Sequence, residues 1–88
     1  MVEVALNVGT DDTDGVPITD TTTSTFLGSC TVNSGVCYFQ ISNGHTVQIG
    51  PQNSGTDPQQ GWDYACYGQT GPICVLTITA PTTAMADF

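Results

Sequence analysis

Val2, Val4, Leu6 and Val8 alternate with Glu3, Ala5 and Asn7 at the start of the chain, and a period of two sends one set of side chains to each face of a strand. Residues 1–8 are therefore expected to form a half-buried strand. Further two-residue alternation runs from Phe26 to Ile49 and from Trp62 to Ile78, broken by glycine, asparagine and proline. No segment carries the 3.6-residue apolar repeat of an amphipathic helix, so the predicted fold class is all-β. Residues 9–25 hold four of the eight acidic residues and a threonine-rich tract, and read as one long acidic loop. Connections of that length are commonly functional or linker-like. Residues 26–80 read as the β core and 81–88 as a C-terminal tail, all within a single domain spanning 1–88.

Register sharpens this reading, because a slip of one residue turns a strand's apolar set to the wrong face. A three-residue loop at Gln69-Thr70-Gly71 sets Cys66 opposite Cys74, Tyr64 opposite Leu76 and Trp62 opposite Ile78. These six residues then share one apolar face of a hairpin. At Asn43-Gly44 a two-residue turn would pair Ile41 with Thr46 and Phe39 with Gln48, mixing the faces. A three-residue loop Ser42-Asn43-Gly44 instead pairs Cys37 with Ile49, Phe39 with Val47 and Ile41 with His45. Upstream, a turn at Asn33-Ser34 sets Cys30 against Cys37, Gly28 against Phe39 and Phe26 against Ile41, so Phe26 to Ile49 is expected to be a three-stranded meander. Meander, hairpin and N-terminal strand make about six strands, which close most naturally as a small antiparallel sandwich or a partly open barrel.

Cysteine usage adds a covalent frame. Four cysteines in 88 residues, with a single histidine and no CxxC pair, point to two disulfides rather than a metal centre. The expected pairs are Cys30–Cys37 and Cys66–Cys74; the two other connectivities, tying the meander to the hairpin, stay open at this level. A chain of this size lies near the limit at which a core alone suffices, and in the chain-entropy model each such short closure contributes roughly 2–3 kcal/mol. Disulfides imply an oxidising compartment, so a secreted or extracellular protein is expected. Val2-Glu3-Val4 follows Met1 without a basic leader or an apolar signal stretch, which suggests a leader already removed or another route of export. No apolar run is long enough to cross a membrane, so membrane insertion is not expected.

Charge removes whole classes of partner. Lysine and arginine are both absent and the formal charge is −8 at pH 7, so the chain has no cations with which to neutralise phosphates, and nucleic acid is not a partner. In acid only the N-terminus and His45 stay charged. Repulsion then cannot drive unfolding, and an acid-stable fold is expected.

Candidate chemistry is sparse. Asp11, Asp12, Asp14 and Asp20 could gather oxygen ligands around calcium. With Gly15 set at the glycine of an EF-hand loop, Asp12 and Asp14 take the third and fifth positions, but Thr10 and Thr21 take the first and twelfth. The segment is read as a solvated loop with Asp12 and Asp14 as its weak calcium candidates, and no metal or other cofactor is expected. His45, beside Ile41 and without a serine or cysteine partner, is read as structural. Paired carboxylates could serve glycoside hydrolysis, but nothing fixes their separation and a deep cleft is hard to build from so few residues. Trp62, Asp63, Tyr64 and Tyr67 could form a glycan platform. The hairpin register turns Trp62 and Tyr64 inward, leaving Asp63 and Tyr67 as the possible ligand contacts.

The resulting expectation is a non-enzymatic extracellular structural subunit that self-assembles or coats a surface, its main partner being another copy. The strand of Val2, Val4, Leu6 and Val8, on its long tether, is expected to complete a neighbouring copy's sheet. The alternative is a secreted, disulfide-stapled binding module or effector recognising an extracellular glycan or protein.

Overall fold

A computed structural model of the chain describes residues 1–9, 15–31, 35–53 and 58–88. The regular structure of these residues is entirely β: β1 (Val2–Gly9), β2 (Val16–Asp20), β3 (Thr25–Cys30), β4 (Val36–Ile41), β5 (Thr46–Ile49), β6 (Gly61–Tyr64), β7 (Cys74–Thr77) and β8 (Thr82–Asp87). They form two four-stranded sheets, in the orders β4-β1-β8-β6 and β3-β2-β5-β7. Every pairing is antiparallel except β1 with β8, which run parallel.

The core lies between the sheets and is filled by alternate residues of each strand. The first sheet supplies Val4, Leu6, Val8, Ile41, Trp62, Ala84 and Ala86, and the second supplies Val16, Ile18, Val47, Ile49 and Cys74. Full burial of a valine, leucine or isoleucine contributes roughly 1.5–3 kcal/mol each, which makes this two-layer closure the main source of stability.

The architecture has eight strands rather than about six, because two lie where loop and tail are expected. β2 falls inside 9–25: its apolar alternation is only Val16 and Ile18, interrupted by Pro17, which has no N–H to give to a ladder. The Pro17 carbonyl still accepts a hydrogen bond from Gly50 N at 2.8 Å. β8 falls inside 81–88, and its buried positions are the alanines Ala84 and Ala86, too small to register as a hydrophobic signal.

The expected hairpin and meander are also replaced. β3 pairs with β2, β4 with β1, β5 with β2 and β7, and β6 with β8. Consecutive strands from β3 to β8 thus alternate between sheets. The reason is geometric: the registers that align apolar residues in a hairpin also align them face to face across a sandwich, so side-chain pattern alone does not separate the two. Both expected disulfides form, but between sheets. Cys30–Cys37 ties β3 to β4 with Cα atoms 5.7 Å apart, and Cys66–Cys74 ties the segment after β6 to β7 at 5.8 Å. Each lateral edge of the sandwich is stapled once. Tyr64, expected in the core, ends β6 with a positive φ of 60° and is 61 % exposed.

β1 is paired within its own chain. It lies between β4 and β8 of its own chain, with Val4, Leu6 and Val8 buried and Val2 packed against the core. The tether from Gly9 to Val16 is much shorter than a loop to Phe26, and both edges of β1 find partners at home.

The four edge strands are β4, β6, β3 and β7, and each presents backbone that could pair with another chain. On β7, the Gln69 side chain takes the place of a missing strand: Val75 N donates to its Oε1 at 3.0 Å and its Nε2 donates to Val75 O at 3.1 Å. β3 is bent by a register shift opposite Ile18 and Thr19. Beside that shift the Phe39 ring packs over Gly28, where an added Cβ would lie 3.2 Å from Cε1.

Candidate functional site

A concavity lies at the pole where β5 ends and β6 begins. Pro51, Gln52, Pro58, Gln59, Gln60, Gly61 and the segment Gln69–Pro72 line a cavity of about 510 Å³. Trp62 props up this pole. Its Nε1 donates to Gly71 O at 3.1 Å, and its ring lies 3.5 Å from where a Cβ of Gly50 would stand. Gly50 has φ +88°, and that same Cβ would be 2.5 Å from Pro72 O, so close approach of the two loops requires glycine here.

Four glutamines give the groove its chemistry. Gln59 Nε2 donates to Gly61 O at 3.0 Å and Gln60 Nε2 to Pro58 O at 3.3 Å. Gln59 Oε1 is buried with no hydrogen-bond partner among the described residues. None of the described lining residues is charged. Such a surface suits an uncharged ligand bearing hydroxyl or amide groups. Sequence reading passed over it because glutamine and proline in a glycine-rich stretch read as loop; the usable signal was Trp62 with Pro51, Pro58 and Pro72 spaced around it.

Asp63 and Tyr67 belong to different surroundings. Asp63 lies on the outer face of the first sheet, opposite Met85, hydrogen-bonded to Asp87. That bond, with burial and the like charge of Asp63, raises the Asp87 pKa. Tyr67 follows β6 and is 79 % exposed. Neither lines the groove. Asp12 and Asp14 lie outside the described residues, and among the described residues no three His, Cys, Asp or Glu gather as a metal site.

His45 and Asp20 form a closed structural unit at the opposite pole. His45 Nδ1 is 2.8 Å from Asp20 Oδ2, while Asp20 Oδ1 accepts from Thr22 N at 3.0 Å and Thr23 N at 3.3 Å. Asp20 is only 7 % exposed. The bond to His45 lowers its pKa, against the opposing effect of burial, and the Thr23 and Thr22 amides act in the same direction as His45.

The two outer faces of the sandwich differ in charge. On the second sheet one row runs Phe26, Thr19, Gln48, Val75 across all four strands, and Thr46 pairs with Thr77 beside it. The Thr46 and Thr77 hydroxyls are 3.1 Å apart, and Thr21 donates from both N and Oγ1 to Thr46 O. Phe26 and Val75 are exposed. By strand alternation Glu3, Asp63 and Asp87 project from the other sheet and Asp20 points inward, so the described residues of this face carry no charge.

Comparison of the chain with protein-family models, with curated proteins and with solved structures finds no match.

Proposed function

We propose that this domain is a non-enzymatic, extracellular structural subunit that packs against a second copy of itself through the outer face of the β3-β2-β5-β7 sheet. The observation that carries this reading is the uncharged row Phe26-Thr19-Gln48-Val75 with its flanking threonines. A chain with no lysine or arginine and eight acids cannot form Lys or Arg ion pairs across a homotypic interface, so copies meet with least repulsion where carboxylates are missing. Threonine hydroxyls and glutamine amides both donate and accept, and the two apolar ends supply area to bury. The two disulfides support an oxidising, extracellular setting. The non-enzymatic reading is supported by the engagement of the reactive groups: every cysteine is in a disulfide, His45 is bound to Asp20 and Asp87 to Asp63.

Sedimentation velocity across a range of concentrations tests it. Reversible association is expected, weakened by Thr19→Asp with Gln48→Glu and left intact by Asn7→Asp on the opposite face. A chain that stays monomeric throughout, or that dissociates equally with Asn7→Asp, overturns the reading.

A second reading, a module that binds a neutral glycan or peptide, rests on the groove and the unpartnered Gln59 Oε1. Glycan-array binding abolished by Gln59→Ala would establish it in place of self-association.

A further inference from the structure

β1 and β8 are remote in sequence yet adjacent at the centre of one sheet. They run parallel over six residue pairs, from Val4↔Thr82 to Gly9↔Asp87. Each is also locked on its far side, β1 to β4 from Val2↔Ile41 to Asn7↔Val36 and β8 to β6 from Gly61↔Asp87 to Tyr64↔Ala84. Because the central pair is parallel, the chain enters β1 at the pole where β4 ends and leaves β8 at the pole where β6 begins. The longest dimension of the molecule is 33 Å.

This arrangement has a mechanical consequence. A load on the two ends pulls β1 and β8 past one another along their own axes, and the evenly spaced bonds of a parallel ladder are then strained together. Sliding must also drag Val4, Leu6 and Val8 past Ala84 and Ala86 within the packed core. Two strands pulled from the same end open one bond at a time instead.

We propose that the domain bears tension, with the parallel β1–β8 pair as its clamp. Neither disulfide encloses either strand, since Cys30–Cys37 and Cys66–Cys74 both lie between them in sequence. The clamp is therefore non-covalent, and once it yields the disulfides limit how far the chain extends. This inference goes beyond self-association and does not depend on it, because a single copy suffices.

Single-molecule pulling on the oxidised chain tests the clamp without altering the core. In one geometry the handles are attached at Met1 and Phe88; in the other they are attached at Met1 and Asn43, an exposed turn residue just past the Ile41 end of β4. The second geometry peels β1 from its N-terminal end. The end-to-end geometry is expected to need several times the force of the peeling geometry at the same pulling speed, since forced unfolding reports the barrier rather than the equilibrium. It should also rupture in one event, releasing roughly 220–240 Å at about 3.3–3.6 Å per residue outside the disulfide loops. Equal forces in the two geometries, or release of the β3-β2-β5-β7 sheet before the β1–β8 pair, overturns the proposal.

Discussion

At the scale of single residues, the acids pull stability in opposite directions with pH. Asp20 has a lowered pKa because His45 and the Thr23 and Thr22 amides favour its ionised form. Its contribution is therefore complete above the ordinary aspartate value and lost as pH falls through the lower folded one. Asp87 has a raised pKa because Asp63 is bonded to it, so its ionisation opposes folding and stability rises as pH falls through that raised value. Melting temperature is expected to climb from neutral into mildly acidic solution and to decline only once Asp20 protonates. Asp20→Asn should flatten the acid decline, and Asp63→Asn should remove the climb. Circular dichroism at about pH 2 should remain native, because a chain without lysine or arginine builds up little positive charge there. Cooperative unfolding before Asp20 titrates would contradict this account.

Gly50 offers a separate test. Alanine there meets Pro72 O with φ at +88°, whereas Gly44, also at positive φ, has nothing within 4 Å of an added Cβ. Gly50→Ala should cost about 2–5 kcal/mol, combining left-handed backbone strain of about 1–2 kcal/mol with overpacking of about 1–3 kcal/mol. Gly44→Ala should lose only the backbone part. Urea melts of the two variants compare them directly, and equal losses would show that the Pro72 loop moves aside.

At the scale of elements, the Gln69 side chain is the clearest device. Gln69→Ala removes two hydrogen bonds from the exposed edge of β7 and should lower stability by about 1–3 kcal/mol at about 0.5–1.5 kcal/mol per bond. The bared edge should also raise association through β7 in sedimentation, whereas a variant with wild-type stability and wild-type sedimentation would make the cap incidental. Elements also show where sequence stops being informative. Alternation located β1, β3, β4, β5, β6 and β7 and paired all four cysteines correctly, because inward residues must face one another in any β layer. It could not say whether Phe39 and Val47 meet along one sheet or across two, since both satisfy the same pattern. β8 escaped because Ala84 and Ala86 are small, and β2 because Pro17 breaks its run. The groove was illegible for another reason: Gln52, Gln59, Gln60 and Gln69 converge only after β6 and β7 have been assigned to different sheets.

At the scale of the whole molecule, the placement of β1 beside β8 bears on when folding can occur. The middle of one sheet is assembled from β1 and β8, so its central ladder closes a loop that takes in all the strands between them, and contacts so distant in sequence form late and slowly. During synthesis β1 emerges early but has only β4 to hold until β8 follows. A nascent chain stalled with Thr82–Asp87 still inside the ribosome should thus be cleaved readily by protease, while the same chain with β8 free should resist. Folding would then wait on β8, with one edge of β1 left open until Thr82–Asp87 emerge.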